Sequence, residues 1–267
     1  SKESAPFFYL LLVIFVFVFG VKLFTQGLFV DGIFYGSLAQ SLADGYGNLW
    51  DLSATKHYNY AFYGHPPFAI WALSSFMIVF DSAFWAERVF SLFNLILMLW
   101  GFAKIWQLTN PKLSILTLWW PCLLWCCMPV NIWSFQQYLL ENSMLVFVVW
   151  GVFWAIKSVL TKKSALFAIV SGLFIFFATF CKGPVGLFPL VVISLYWFVF
   201  RGFSLSRAIR LSLIIFLSTL LPYILLFSLS TDAVIYFGKY FQEQILRSFA
   251  DTNLHERGHF YIVTLLL

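Results

Sequence analysis

Hydrophobic runs of membrane-spanning length alternate with short polar intervals along this chain. A bilayer-crossing helix needs ~20 apolar residues, within about 17–25. The pattern predicts spans over 7–24, 84–106, 113–128, 139–156, 164–180, 183–200 and 209–229, with an eighth beginning near His259. The run 67–80 is apolar but short. It follows His65-Pro66-Pro67, whose prolines prevent helix continuation from the preceding loop, and it closes on Asp81. The interval 30–67 is polar and turn-rich. Within it, residues 32–44 read as a short helix with Phe34, Leu38 and Leu42 on one face and Ser37, Gln40 and Ser41 largely on others. That pattern suits a helix lying in the membrane interface, and Gly45-Tyr46-Gly47-Asn48 ends it. The predicted class is an all-α polytopic membrane protein with about eight spans and a helical first outer loop over 25–83.

Composition agrees and narrows the choices. With 62% hydrophobic and 10% charged residues and a mean hydropathy of +0.89, the chain has too few charges to solvate the surface of a soluble globule. The first run has neither a strongly basic start nor a small-residue cleavage site, so it reads as a retained span. The chain opens without Met and stops within FYIVTLLL, which predicts the N-terminal part of one transmembrane domain with further helices to follow. Cys122, Cys126, Cys127 and Cys181 lie in or beside apolar runs, with no C-x-x-C pair and no His at ligand spacing, and read as small hydrophobes. The formal charge of +5 is scattered among loops, which gives no nucleic-acid footprint. Lys182-Gly183-Pro184 lacks the frame of a nucleotide-binding phosphate loop.

Charge also sets the topology. If 67–80 does not cross, one side collects Lys2, Lys104, Lys112, Lys157, Lys162, Lys163, Arg201, Arg207 and Arg210 against the single acid Glu3. A crossing would move six of these basic residues outside, against the positive-inside rule. The run 67–80 is therefore read as a re-entrant or interfacial helix on the outer face. Asp31, His65, Glu141, Lys182, Arg247 and His255 then share the outer side, close to helix ends. Singly, each has an ordinary explanation. Asp31 would cap a helix, Lys182 would snorkel, and Arg247 with Glu243 would form an i,i+4 surface pair. Ionisable groups near lipid are costly, and their gathering on one face points to a site.

The chain resembles the C-type membrane glycosyltransferases that take sugar from a polyprenyl-phosphate carrier, in the branch of protein O-mannosyltransferases and lipid A aminoarabinose transferases. The likeness rests on an ordered set of stretches: Asp31 with Tyr35 after the first span, PPFAIW, Glu87-Arg88-Val89-Phe90-Ser91, Glu141, CKGPVG, and EQILRSFADTNLHERGHFY. The resemblance implies a GT-C-like helix bundle whose partners are a polyprenyl-phosphate sugar donor and a lipid, glycan or protein acceptor. It implies Asp31 as catalytic carboxylate and Glu141 as a second acid of the cavity. His65, Lys182, Arg247 and His255 would hold the donor phosphate, and Tyr35, Tyr63 and Glu243 would lie nearby. It also implies an inner-membrane enzyme with its site on the periplasmic side. The chain departs from the family at Gly32, where an acid is common, at Phe34, where the lipid A branch has Arg, and at His65, where that branch has Lys. No organic cofactor is implied, and a divalent metal would bind through Asp31 and Glu141. A partly buried Asp31 would serve as general base in an inverting transfer. The alternatives are a lipid-linked-sugar transporter or flippase, or an inactive member of the family.

Overall fold

A computed structural model describes residues 4–24, 27–55, 61–80 and 85–247. Every element among them is helical, and the sole β pairing is an isolated bridge between Asn48 and Asp51. Helix α1, Ala5–Phe15, continues through a π turn and a 3-10 turn to Phe24, so that Ala5–Phe24 forms one span. Three further spans are α4 (Ala86–Thr109), α7 (Leu140–Leu160) and α8 (Ser164–Lys182). The fifth is α10, Leu205–Leu229. A bent pair, a broken span or a re-entrant loop, follows α4: the 3-10 turn Ile115–Leu118 and α5, Trp119–Cys126, are succeeded by α6, Pro129–Phe135, at 91°. Pro129 opens α6, where its missing N–H removes a bond that would have continued α5.

The run 183–200 is a shorter apolar helix. Pro184 and Pro189 hold its first half in 3-10 geometry, and α9, Val192–Phe200, completes it. These elements fall on seven of the eight runs of the hydropathy pattern, and the run near His259 lies outside the described residues.

The interval between the first two spans folds as expected in kind. Helix α2 occupies Val30–Ala43 and α3 occupies Phe68–Val79. At ~1.5 Å per residue, the 12 residues of α3 extend about 18 Å, too short for a ~30 Å hydrocarbon core. Ala69, Ile70, Leu73 and Met77 of α3 are buried in a core shared with Leu38 and Ala39 of α2 and with Tyr138, Leu140 and Met144. These two helices therefore plug one end of the bundle.

Small residues and buried amides hold the spans together. Asn142 is fully buried; its side-chain nitrogen donates to Ser91 Oγ at 2.7 Å and to the carbonyl of Ser134 at 2.9 Å, and its oxygen accepts from Ser134 Oγ at 2.6 Å. That network ties α7 to α4 beside Glu141. At Gly172 a Cβ would lie 2.5 Å from the Ile215 carbonyl oxygen, so α8 and α10 touch backbone to backbone, as small residues permit in membranes. At the opposite end from α2 and α3, Arg207 donates to the Val159 carbonyl and to Ser164 Oγ, both at 3.0 Å, and Lys157 lies 4.6 Å from the rings of Trp154 and Phe167. Arg207 and Lys157, two of the basic residues assigned to the inner side, thus sit at the same end of the bundle.

Candidate functional site

The carboxylate of Glu141 stands in the first turn of α7, and Lys182 is the last residue of α8. Antiparallel packing brings these ends together, and the ammonium of Lys182 touches Glu141 Oε1 in an ion pair. Gly183 ends α8 at φ +83°, and a Cβ there would lie 2.1 Å from Tyr240 Oη. Only glycine meets both demands, which accounts for the Lys-Gly order. Tyr240 belongs to α11, Thr231–Tyr240, so the same contact draws α11 over the end of α8.

His65 approaches from the loop before α3. Its ring packs edge-on against Tyr35 at 5.9 Å and Phe62 at 6.2 Å, and its carbonyl accepts from Tyr236 Oη at 2.8 Å. The Nδ1 atom is buried and has no hydrogen-bond partner among the described residues. Burial, and then the positive charge of Lys182, push the imidazole pKa down to about 4. His65 is therefore neutral near pH 7, so any hydrogen bond it gave a phosphate would carry no positive charge.

Asp31 lies in the first turn of α2 rather than at its cap. The cap position is Phe29, whose N–H donates to Gln137 Oε1 at 2.7 Å. The partial burial expected of Asp31 is not found, because the residue is exposed. Its negative charge acts on Lys182 and on Tyr35. Burial first, and that charge second, raise the Tyr35 phenol to about 12, so it stays a neutral donor. Asp31, Tyr35, His65, Glu141 and Lys182 thus converge at one end of the bundle.

Of the other candidates, Tyr63 adjoins this group through Tyr236. Tyr63 Oη accepts from Lys239 Nζ at 3.1 Å, and its ring sits 5.3 Å from that of Tyr236. Glu243 and Arg247 are exposed on the π-helical extension of α11, Phe241–Leu246, and the charge of Glu243 acts on Lys239. His255 lies outside the described residues.

Several residues that support the site were missed as site residues. Arg88 is buried and donates to the Gly27 carbonyl at 2.8 Å, anchoring the chain just before α2. Glu87 presses on α2 where a Gly36 Cβ would lie 2.8 Å from its Oε1, while its Oε2 is buried with no hydrogen-bond partner among the described residues. Both were quoted only as part of a motif. The signal that would have separated them is a charged pair one turn inside an apolar span. For a metal, no group of three or more His, Cys, Asp or Glu side chains converges among the described residues. Of the two acids named for a metal, Glu141 is ion-paired with Lys182.

Two solved structures share this arrangement of helices. ArnT from Cupriavidus metallidurans bound to undecaprenyl phosphate superposes with a TM-score of 0.69 at 15% identity, over 97% of this chain and 47% of that one. The apo form of the same protein gives 0.66 at 16% identity, over 99% and 48%. The chain has the ArnT fold. It spans about half the length of the ArnT chains it matches. The GT-C-like bundle implied by the motifs is thereby the architecture found. No protein-family model and no curated protein matches the sequence.

Proposed function

We propose that this chain carries the reacting face of an inverting glycosyltransferase that moves a sugar from a polyprenyl-phosphate donor to an acceptor at the outer membrane face. The observation that carries the reading is the convergence of an exposed carboxylate, Asp31, with a half-buried ammonium, Lys182, at the end of an ArnT-fold bundle. The binding of undecaprenyl phosphate by ArnT supports a lipid phosphate as the donor carrier. A transporter would be expected to gather its polar groups at broken helices near the bilayer midplane, whereas these lie at helix ends.

In the proposed reaction Asp31 accepts the proton of the acceptor hydroxyl as its oxygen bonds to the anomeric carbon. The bond from that carbon to the phosphate oxygen breaks, and both electrons leave with the polyprenyl phosphate. Lys182 offsets the charge that develops on the departing phosphate. Glu141 holds the ammonium in place while no phosphate is bound. Neutral Tyr35 and His65 supply uncharged hydrogen bonds. No step requires a second carboxylate as nucleophile.

The test is release of polyprenyl phosphate by the purified full-length protein supplied with a polyprenyl-phosphate sugar. Asp31→Asn is expected to lower turnover by at least about a hundredfold, the range general-base catalysis supplies, while the protein keeps its thermal transition. Wild-type turnover in that variant removes Asp31 from the mechanism.

A further inference from the structure

Beside the reacting group, the outer end contains a second polar hollow of about 170 Å³, lined among others by Asn48, Trp50, Asp51, Tyr63, Asp232 and Tyr236. It differs in kind from the cleft of about 430 Å³ around Phe68, Phe90 and Trp150 and the groove of about 680 Å³ between α9 and α10, both of which have mainly apolar walls. We propose that this hollow binds one sugar ring through its hydroxyl groups, an inference that rests on the sugar-transfer reading and supplies the ring-recognition subsite that reading lacks.

The walls are fixed before any ligand arrives. Tyr236 Oη is held by the His65 carbonyl at 2.8 Å, and Tyr63 Oη by Lys239 at 3.1 Å. Trp50 packs edge-on against Trp71 at 4.9 Å and Tyr236 at 5.8 Å, and Trp71 Nε1 donates to the Leu49 carbonyl at 2.8 Å. The loop closes through paired backbone bonds of 3.1 Å between Asn48 and Asp51, which require Gly47 at φ +76°. Preorganised walls of this kind reduce the ordering cost of binding.

The chemistry on those walls selects the ligand. Asp51 and Asp232 are exposed, and neither carboxylate makes a hydrogen bond to another described residue. An ionised carboxylate only accepts hydrogen bonds, so each calls for a donor such as a hydroxyl. The aromatic rings offer apolar faces. A sugar ring matches both, with C–H faces for the aromatics and hydroxyl edges for the acids. The hollow is well below the ~300–1,000 Å³ of drug-sized sites, which suits one ring. Two acids stand against Lys239, the one cation beside them among the described residues, and disfavour anionic ligands, so a neutral sugar is accepted in preference to a uronic acid. Through Tyr236 and the His65 carbonyl, the hollow adjoins the reacting group.

Saturation-transfer NMR on the detergent-solubilised full-length protein tests this, with the methyl glycosides of glucose, mannose, galactose and N-acetylglucosamine as probes and methyl glucuronide as the anionic control. At least one neutral glycoside is expected to bind, and at least tenfold more weakly to Asp51→Asn with Asp232→Asn, two exposed substitutions that leave the packed rings untouched. The glucuronide is expected to bind at least tenfold more weakly to the wild type. Absence of any binding, equal binding of the glucuronide, or wild-type affinity in the double variant overturns the proposal. Competition assigns the source of the ring. A polyprenyl-phosphate sugar that displaces the glycoside while sugar-free polyprenyl phosphate does not marks a donor subsite; displacement by neither marks an acceptor subsite. Donor turnover is assayed separately. Glycoside binding without turnover sinks the transferase reading and keeps this site, and turnover with no glycoside binding does the reverse.

Discussion

The Lys182 ammonium is drawn two ways, by the Glu141 carboxylate that touches it and by the charge of Asp31 nearby. The paired side chains retain 21% and 38% exposure, so solvent still screens the pair and a lipid phosphate has room to compete for the cation. Lys182→Met is expected to weaken binding of polyprenyl phosphate by at least tenfold, about 1.4 kcal/mol. Lipid retention measured by native mass spectrometry checks it, and undiminished retention removes Lys182 from the phosphate site. His65 supplies a prediction with a defined pH window. Its folded-state pKa of about 4 lies below the ordinary 6.5, so the unfolded chain binds the extra proton first as pH falls. Its contribution to folding is intact above pH 6.5 and is lost progressively toward pH 4, by roughly 3 kcal/mol in total at ~1.4 kcal/mol per unit. The melting temperature of the wild type is expected to fall between those limits more than that of His65→Gln. Parallel curves remove the histidine from the acid sensitivity.

At the scale of elements, glycines set how closely the helices approach. Gly172 places α8 on α10, where a side chain would strike the Ile215 carbonyl at 2.5 Å, and Thr219 Oγ1 donates across the same contact to the Gly172 carbonyl at 3.1 Å. Gly172→Val is expected to cost ~2–3 kcal/mol through overpacking against backbone that has no rotamer to change. The fall in melting temperature measures it, and Ser218→Gly in the same chain recovers only part, because the Ile215 contact remains. Whether an element exists was largely readable from its apolar run: α4, α7, α8 and α10 lie where the hydropathy places them. How two elements meet was not readable. The interfacial face proposed for α2 contains Leu38, which is buried, and Phe34, which is exposed, because the partner surface is Tyr138 and Glu87 from distant positions rather than lipid alone. Pro129 marks the break after Met128 in the sequence, but the 91° turn that lays α6 beside the start of α7 is visible only in the fold.

For the whole molecule, the two ends of the bundle carry different chemistry. Asp31, Glu141, Lys182 and the aromatic cluster around Tyr236 lie at one end, and Lys157, Arg201 and Arg207 at the other. With Cys127→Ser as background, a membrane-impermeant maleimide is expected to label Leu49→Cys from outside intact cells and Lys162→Cys only after permeabilisation. The reverse pattern overturns the assigned orientation. Hydrophobic length and charge bias are properties of consecutive residues, since a bilayer taxes every buried backbone group and every charge locally. The sequence by itself therefore determined that this is a multi-span helical protein, where its apolar helices lie, and which polar residues fall near their ends. Only the tertiary structure decided that Lys182 pairs with Glu141 41 positions away, that Tyr236 reaches the His65 carbonyl across 171, and that burial beside Lys182 keeps His65 neutral. Those outcomes depend on burial and on distances between faces that meet only when the helices pack, and no local pattern encodes them.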